Sequence, residues 1–134
     1  MECKLSFICD YAQQSGGKLH AIGIGWDTVY APSVPVTHAV MCFVANLRGT
    51  IAESGEKTIA LRLIDADGVD VMPALQQKVR FEVKPPRLEG GINLVMQIGG
   101  VQFKKYGTYA FHLVVQENEM GSVPFSVVEP PRTA

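Results

Sequence analysis

What this sequence lacks narrows its class before what it contains is considered. Its 12 Lys+Arg stand against 13 Asp+Glu, so neither sign of charge is in surplus. The longest run of like charge is the pair Lys104-Lys105. A protein held to nucleic acid or anionic lipid by a basic face needs more than this. Lys78, Arg80, Lys84, Arg87, Lys104 and Lys105 are the nearest thing to a patch, and no aromatics are interleaved with them for base stacking. Long hydrophobic runs are missing as well. The most apolar stretch, Ala39 to Ala45, has strand length, far short of the roughly 18 residues of a membrane helix. The opening MECKLSFICDYAQQ puts Glu2, Lys4 and Asp10 where a secretory signal would be apolar, and no small-x-small site follows. The expectation is a cytoplasmic protein with no membrane or nucleic-acid partner. Cysteine is scarce: Cys3, Cys9 and Cys42 form an odd set without CxxC spacing, best read as small apolar core residues. No metal or other cofactor is expected.

Helical periodicity is absent too, and in its place apolar residues recur with period two, the mark of strands with one face on a core. Val79-Arg80-Phe81-Glu82-Val83 alternates without a fault, and Ile59, Leu61 and Leu63 share one face between Lys57 and Ile64. Leu5, Phe7, Cys9 and Tyr11 alternate with polar neighbours, and Leu19 to Ile24 is expected to pair with them across Gln13 to Gly17 as an opening hairpin. Further strands are predicted around Ile92 to Ile98, Tyr109 to Val115 and Val123 to Val127. Val36 to Leu47 is apolar on both faces, as for a central strand or one covered on its second face. Ala31-Pro32-Ser33-Val34-Pro35 breaks the ladder and should carry the chain between sheets. A short turn around Met72 to Gln77 is the expected exception to an all-β chain. About seven to nine strands with regular turn signals predict a Greek-key β-sandwich of immunoglobulin-like or related topology. One domain is expected over residues 1–128, with a flexible tail over 129–134.

Few residues offer chemistry. His20, His38 and His112 fall on three different predicted strands with no metal-binding spacing, and neither metal ligands nor a catalytic set are assigned to them. Cys9 with His20 on the neighbouring strand is the sharpest nucleophile–base pair available, with Asp10 or Asp27 to orient it, and Trp26 would complete a pocket. Against it, Cys9 should point into the core, where a thiolate is disfavoured. Asp65-Ala66-Asp67-Gly68-Val69-Asp70 gathers carboxylates on a turn, a partial calcium pattern, and equally the composition of a plain tight reversal. Gly90-Gly91 and Gly99-Gly100 lack the Lys-Ser/Thr that follows a phosphate loop.

Cys9-Asp10-Tyr11-Ala12, Gly17-Lys18-Leu19, Gly23, Ala31-Pro32-Ser33 with Pro35, Tyr106-Gly107-Thr108-Tyr109 and Gly121-Ser122-Val123-Pro124 together resemble a family of small uncharacterised bacterial proteins. The resemblance spans nearly the whole chain and implies a single β domain with no assigned activity, cofactor or catalytic residue. The expected role is therefore non-enzymatic, a protein-interaction or assembly module, self-association included. Its surface is expected on the outward side of Val36 to Leu47, at Met41 or Phe43. A small-ligand or calcium-binding sandwich using the Asp65 to Asp70 turn is the alternative, and a Cys–His hydrolase the third.

Overall fold

The computed structural model describes residues 1–131; of the tail expected over 129–134, residues 132–134 lie outside the described residues. The described residues are all-β, with ten strands and one 3-10 turn at Ile51–Glu53. No helix among the described residues is long and apolar enough to cross a membrane. The strands are β1 (Glu2–Cys9), β2 (Tyr11–Ser15), β3 (Lys18–Ile22), β4 (Thr28–Tyr30), β5 (Val36–Thr50), β6 (Gly55–Ile64), β7 (Leu75–Phe81), β8 (Glu89–Phe103), β9 (Gly107–Val115) and β10 (Asn118–Val128). They form a three-stranded sheet β1-β5-β8, a five-stranded sheet β4-β10-β9-β6-β7, and the separate hairpin β2-β3. The proline loop Ala31 to Pro35 carries the chain from the larger sheet to the smaller, as proline's missing donor requires. The stretch expected to hold a turn at Met72 to Gln77 instead leads into β7.

Alternation decides which side chains meet. Met41, Phe43, Ala45 and Leu47 of β5 and Leu94, Met96 and Ile98 of β8 face Ile59, Leu61 and Leu63 of β6 and Phe111, Leu113 and Val115 of β9, all buried in one cluster. Phe43 and Phe111 touch across it with ring centroids 5.8 Å apart, and Phe103 packs edge-on to Tyr109 at 4.8 Å. Each fully buried large side chain contributes roughly 1.5–3 kcal/mol.

The first pairing differs from expectation. β1 pairs with β5, from Glu2–Arg48 to Cys9–Cys42, and not with β3. A register shift between Cys3 and Leu5 leaves Leu5 exposed, and Ile8 rather than Cys9 enters the main core. The hairpin is built by β2 and β3 alone. Ser15 and Lys18 are opposed across Gly16-Gly17, whose φ values of +59° and +72° are those of a type I′ turn. It folds back over the outer face of the smaller sheet. There Ala12, Leu19 and Ala21 cover Cys9, Cys42, Val44 and Val95, and Gln14 Nε2 donates to the Asn93 carbonyl at 2.9 Å. At Cys42 and Val44 the second apolar face of β5 is thus covered by this chain's own hairpin, while Val40 stays exposed.

Pro124 stands inside β10, which lies between β4 and β9. The short β4 reaches only Ser126 to Val128, so Pro124 pairs with Ala110 on one side and has no strand on the other, a setting in which its absent N–H costs no ladder bond.

Candidate functional site

The residues singled out in the sequence do not converge. Met41 and Phe43, expected at an outward surface, are wholly buried between the two sheets. This corrects the interface expectation: from Met41 to Leu47 the odd positions of β5 face the main core, while Cys42 and Val44 face the hairpin, so neither apolar face is free there. Cys9 is wholly buried against Ala12, Cys42 and Val44, and its Sγ lies 3.5 Å from the Tyr11 carbonyl. Burial, reinforced by Cys42 and Asp10, pushes its pKa up, opposing the thiolate a nucleophile requires. His20 is exposed on β3 opposite Gln13, across the hairpin from β1, and gives Cys9 no base. The Cys9–His20 pair expected from a β1–β3 hairpin is not formed, because β1 pairs with β5 instead.

Trp26 sits apart from both. Its ring is 6.0 Å from that of His38 and 6.4 Å from that of Phe125, in a shallow cleft of about 370 Å³ shared with Asp10, Thr28 and Tyr30. Trp26 Nε1 is buried without a hydrogen-bond partner among the described residues.

The acidic turn uses its carboxylates internally. Asp65 Oδ1 accepts from the amides of Asp67 (2.9 Å) and Val69 (3.0 Å), and these bonds, with Lys105 nearby, hold its pKa below the ordinary range. Asp67 pairs with Lys105 at 3.0 Å and Asp70 with Arg62 at 3.1 and 3.2 Å. Among the described residues no three His, Cys, Asp or Glu side chains gather as metal ligands. His112 pairs through Nδ1 with Glu119 across β9 and β10.

What the sequence did not announce is the edge of β8. This strand ends its sheet, bonded to β5 from Val36–Phe103 to Thr50–Glu89, with no strand on its other side among the described residues. In an antiparallel ladder alternate residues direct amide and carbonyl away from the partner, so β8 presents a row of these groups with no strand partner, the Asn93 carbonyl being taken by Gln14 Nε2. Gly90 to Phe103 contains no charged residue. Beside this edge a groove of about 430 Å³ runs between Gln97–Gln102 of β8 and Val71, Met72, Pro73 and Leu75. The signal available in the sequence was the fourteen-residue stretch without charge; what hid its meaning was strand order, which periodicity does not give.

The sequence model of a family of unknown function (DUF6941) matches residues 4–128, and the chain belongs to that family. No curated protein matches the chain.

Proposed function

We propose that the chain is an immunoglobulin-like Greek-key module that acts through protein contact, by accepting an added strand at the open edge of β8. The observation that carries this is the length and composition of that edge, fifteen residues long and uncharged from Gly90 to Phe103. An exposed, uncharged edge is a template for another chain, and proteins that do not use one normally shorten it, cover it or charge it. The neighbouring apolar groove supplies a place for alternate side chains of the incoming strand.

Strand order supports the immunoglobulin-like reading. β1-β5-β8 matches strands A-B-E of such a sandwich, and β10-β9-β6-β7 matches G-F-C-C′. Tyr109, near the start of β9, donates its hydroxyl to the Lys105 carbonyl at 2.6 Å, the arrangement of a tyrosine corner at the start of strand F. Two residues on, where antibody domains carry the second cysteine of the inter-sheet bridge, Phe111 packs on Phe43 of β5. Strand D would pair beside E, but the loop from Glu82 to Leu88 joins β7 to β8 without one, which is why β8 is open. Cys3, Cys9 and Cys42, an odd set without CxxC spacing, support a reducing compartment such as the cytoplasm.

The test is selection from a random displayed-peptide library, with the chain itself included as a ligand, against the wild type and Gln97→Lys. Gln97 is exposed on this edge, so the substitution charges the strand without touching the core. Ligands that bind the wild type and lose binding to the variant support the reading. A wild type that binds no peptide and no copy of itself, or a variant with the same ligands, overturns it.

A further inference from the structure

Resting on the strand-addition reading, we propose that the strand β8 receives is β8 of a second copy, antiparallel about a two-fold axis near Met96. Charge complementarity is the first reason. The uncharged stretch is closed by an acidic residue at one end, Glu89, and a basic one at the other, Lys104; both are exposed, and neither forms an ion pair among the described residues. Glu89 precedes Met96 by seven positions and Lys104 follows it by eight. At about 3.3 Å per residue, antiparallel pairing about Met96 brings Glu89 of each copy within about one residue of Lys104 of the other. The match occurs twice. A parallel pairing would instead set Glu89 on Glu89 and Lys104 on Lys104.

The second reason is that both charges lie on the same face of the sheet. Along β8 the buried positions are Gly90, Leu94, Met96 and Ile98, then Val101 and Phe103. The change from even to odd falls at Gly100, whose φ of +68° suits a residue without a Cβ. An uninterrupted strand would place Glu89 and Lys104 on opposite faces; the kink puts both outward. The hairpin's reach to the edge is also accommodated. Gln14 occupies the Asn93 carbonyl, and in this register Gly99 of the second copy falls opposite Asn93, leaving room for the Gln14 side chain. The product is one six-stranded sheet in the order β1-β5-β8-β8-β5-β1 across two copies.

The test is sedimentation equilibrium of the full chain over a range of concentrations, on the wild type, Glu89→Lys, Lys104→Glu and the double variant, with circular-dichroism melts to confirm folding. The wild type is expected at twice the 14.6 kDa chain mass. Each single reversal turns two attractive pairs into two repulsive ones and should weaken dimerisation about tenfold, and the double variant should return to within about threefold of the wild type. A wild type that stays monomeric overturns the second-copy proposal, as does a dimer indifferent to the single variants or one the double variant fails to restore. The peptide selection separates this from the parent reading: a monomer that still binds peptides at Gln97 keeps strand addition and loses only the self-pairing.

Discussion

β7 and β8 end their sheets on the same side of the molecule and treat that position in opposite ways. β7 is seven residues long and carries Lys78 and Arg80, each with more than two-thirds of its side chain exposed, in ion-pair reach of Glu56 and Glu82. β8 is twice as long and carries no charge between its ends. Charged residues on an edge strand raise the cost of pairing with another chain, because the incoming strand must desolvate or confront them. One edge is thus defended and the other is left able to pair. The difference teaches that an open edge here is a local choice of the sequence and not a general feature of the fold.

The comparison breaks completely if the common core is removed, since both edges depend on it. Phe111→Ala empties a site that touches Phe43 and Phe125 and should cost about 3–5 kcal/mol in urea unfolding. A loss under about 1 kcal/mol would mean the sheets are not held together as described. A smaller effect separates face from edge. Leu19→Ala, in the partly buried hairpin patch over Cys42 and Val44, should cost about 1–2 kcal/mol and increase binding of a hydrophobic dye, with the mass in solution unchanged. Smaller again in stability is removal of the defence on β7. The double variant Lys78→Gln with Arg80→Gln should shift unfolding by less than about 0.5 kcal/mol. It should nonetheless raise concentration-dependent light scattering, and unchanged scattering would show that these charges do not guard the edge.

The smallest expected effect lies in the turn beside the β8 groove. Asp65 has its pKa held below the ordinary 3.8, mainly by the Val69 amide. Its contribution to stability is therefore complete above that value and declines as pH falls through it toward the lower folded-state value. Asp65→Asn should be less stable than the wild type at pH 7, and the gap between the two melting curves should narrow below pH 3.8. A gap independent of pH would assign the difference to something other than the carboxylate.

Alternation made the strands legible, because side-chain period is a local property: Ile59, Leu61 and Leu63 are all wholly buried, as their spacing predicts. The two apolar faces of β5 were legible in the same way. What covered them was not, since the docking of β2 and β3 on Cys42 and Val44 joins residues more than twenty positions apart. The same limit misdirected the site. Cys9 and His20 looked like neighbours because a hairpin is the simplest partner for an opening strand, whereas β1 pairs with β5, more than thirty residues on. Trp26 meets His38, a contact no spacing announces. The β8 edge left a trace in composition, but an uncharged strand at the centre of a sheet would leave the same one.

The register shift between Cys3 and Leu5 limits how far strand addition runs. In the proposed six-stranded sheet the two outermost strands would both be β1, each interrupted by that shift and carrying Glu2 and Lys4. β10 also stands beside β1, where a Cβ built at Gly121 would lie 3.7 Å from Cys3 Sγ and Ser6 Oγ. A kinked, charged and partly covered strand is a poor template for the next copy. Growth begun at β8 would therefore stop at two chains, and the same few residues that make β1 irregular would keep a pairing edge from becoming a fibre.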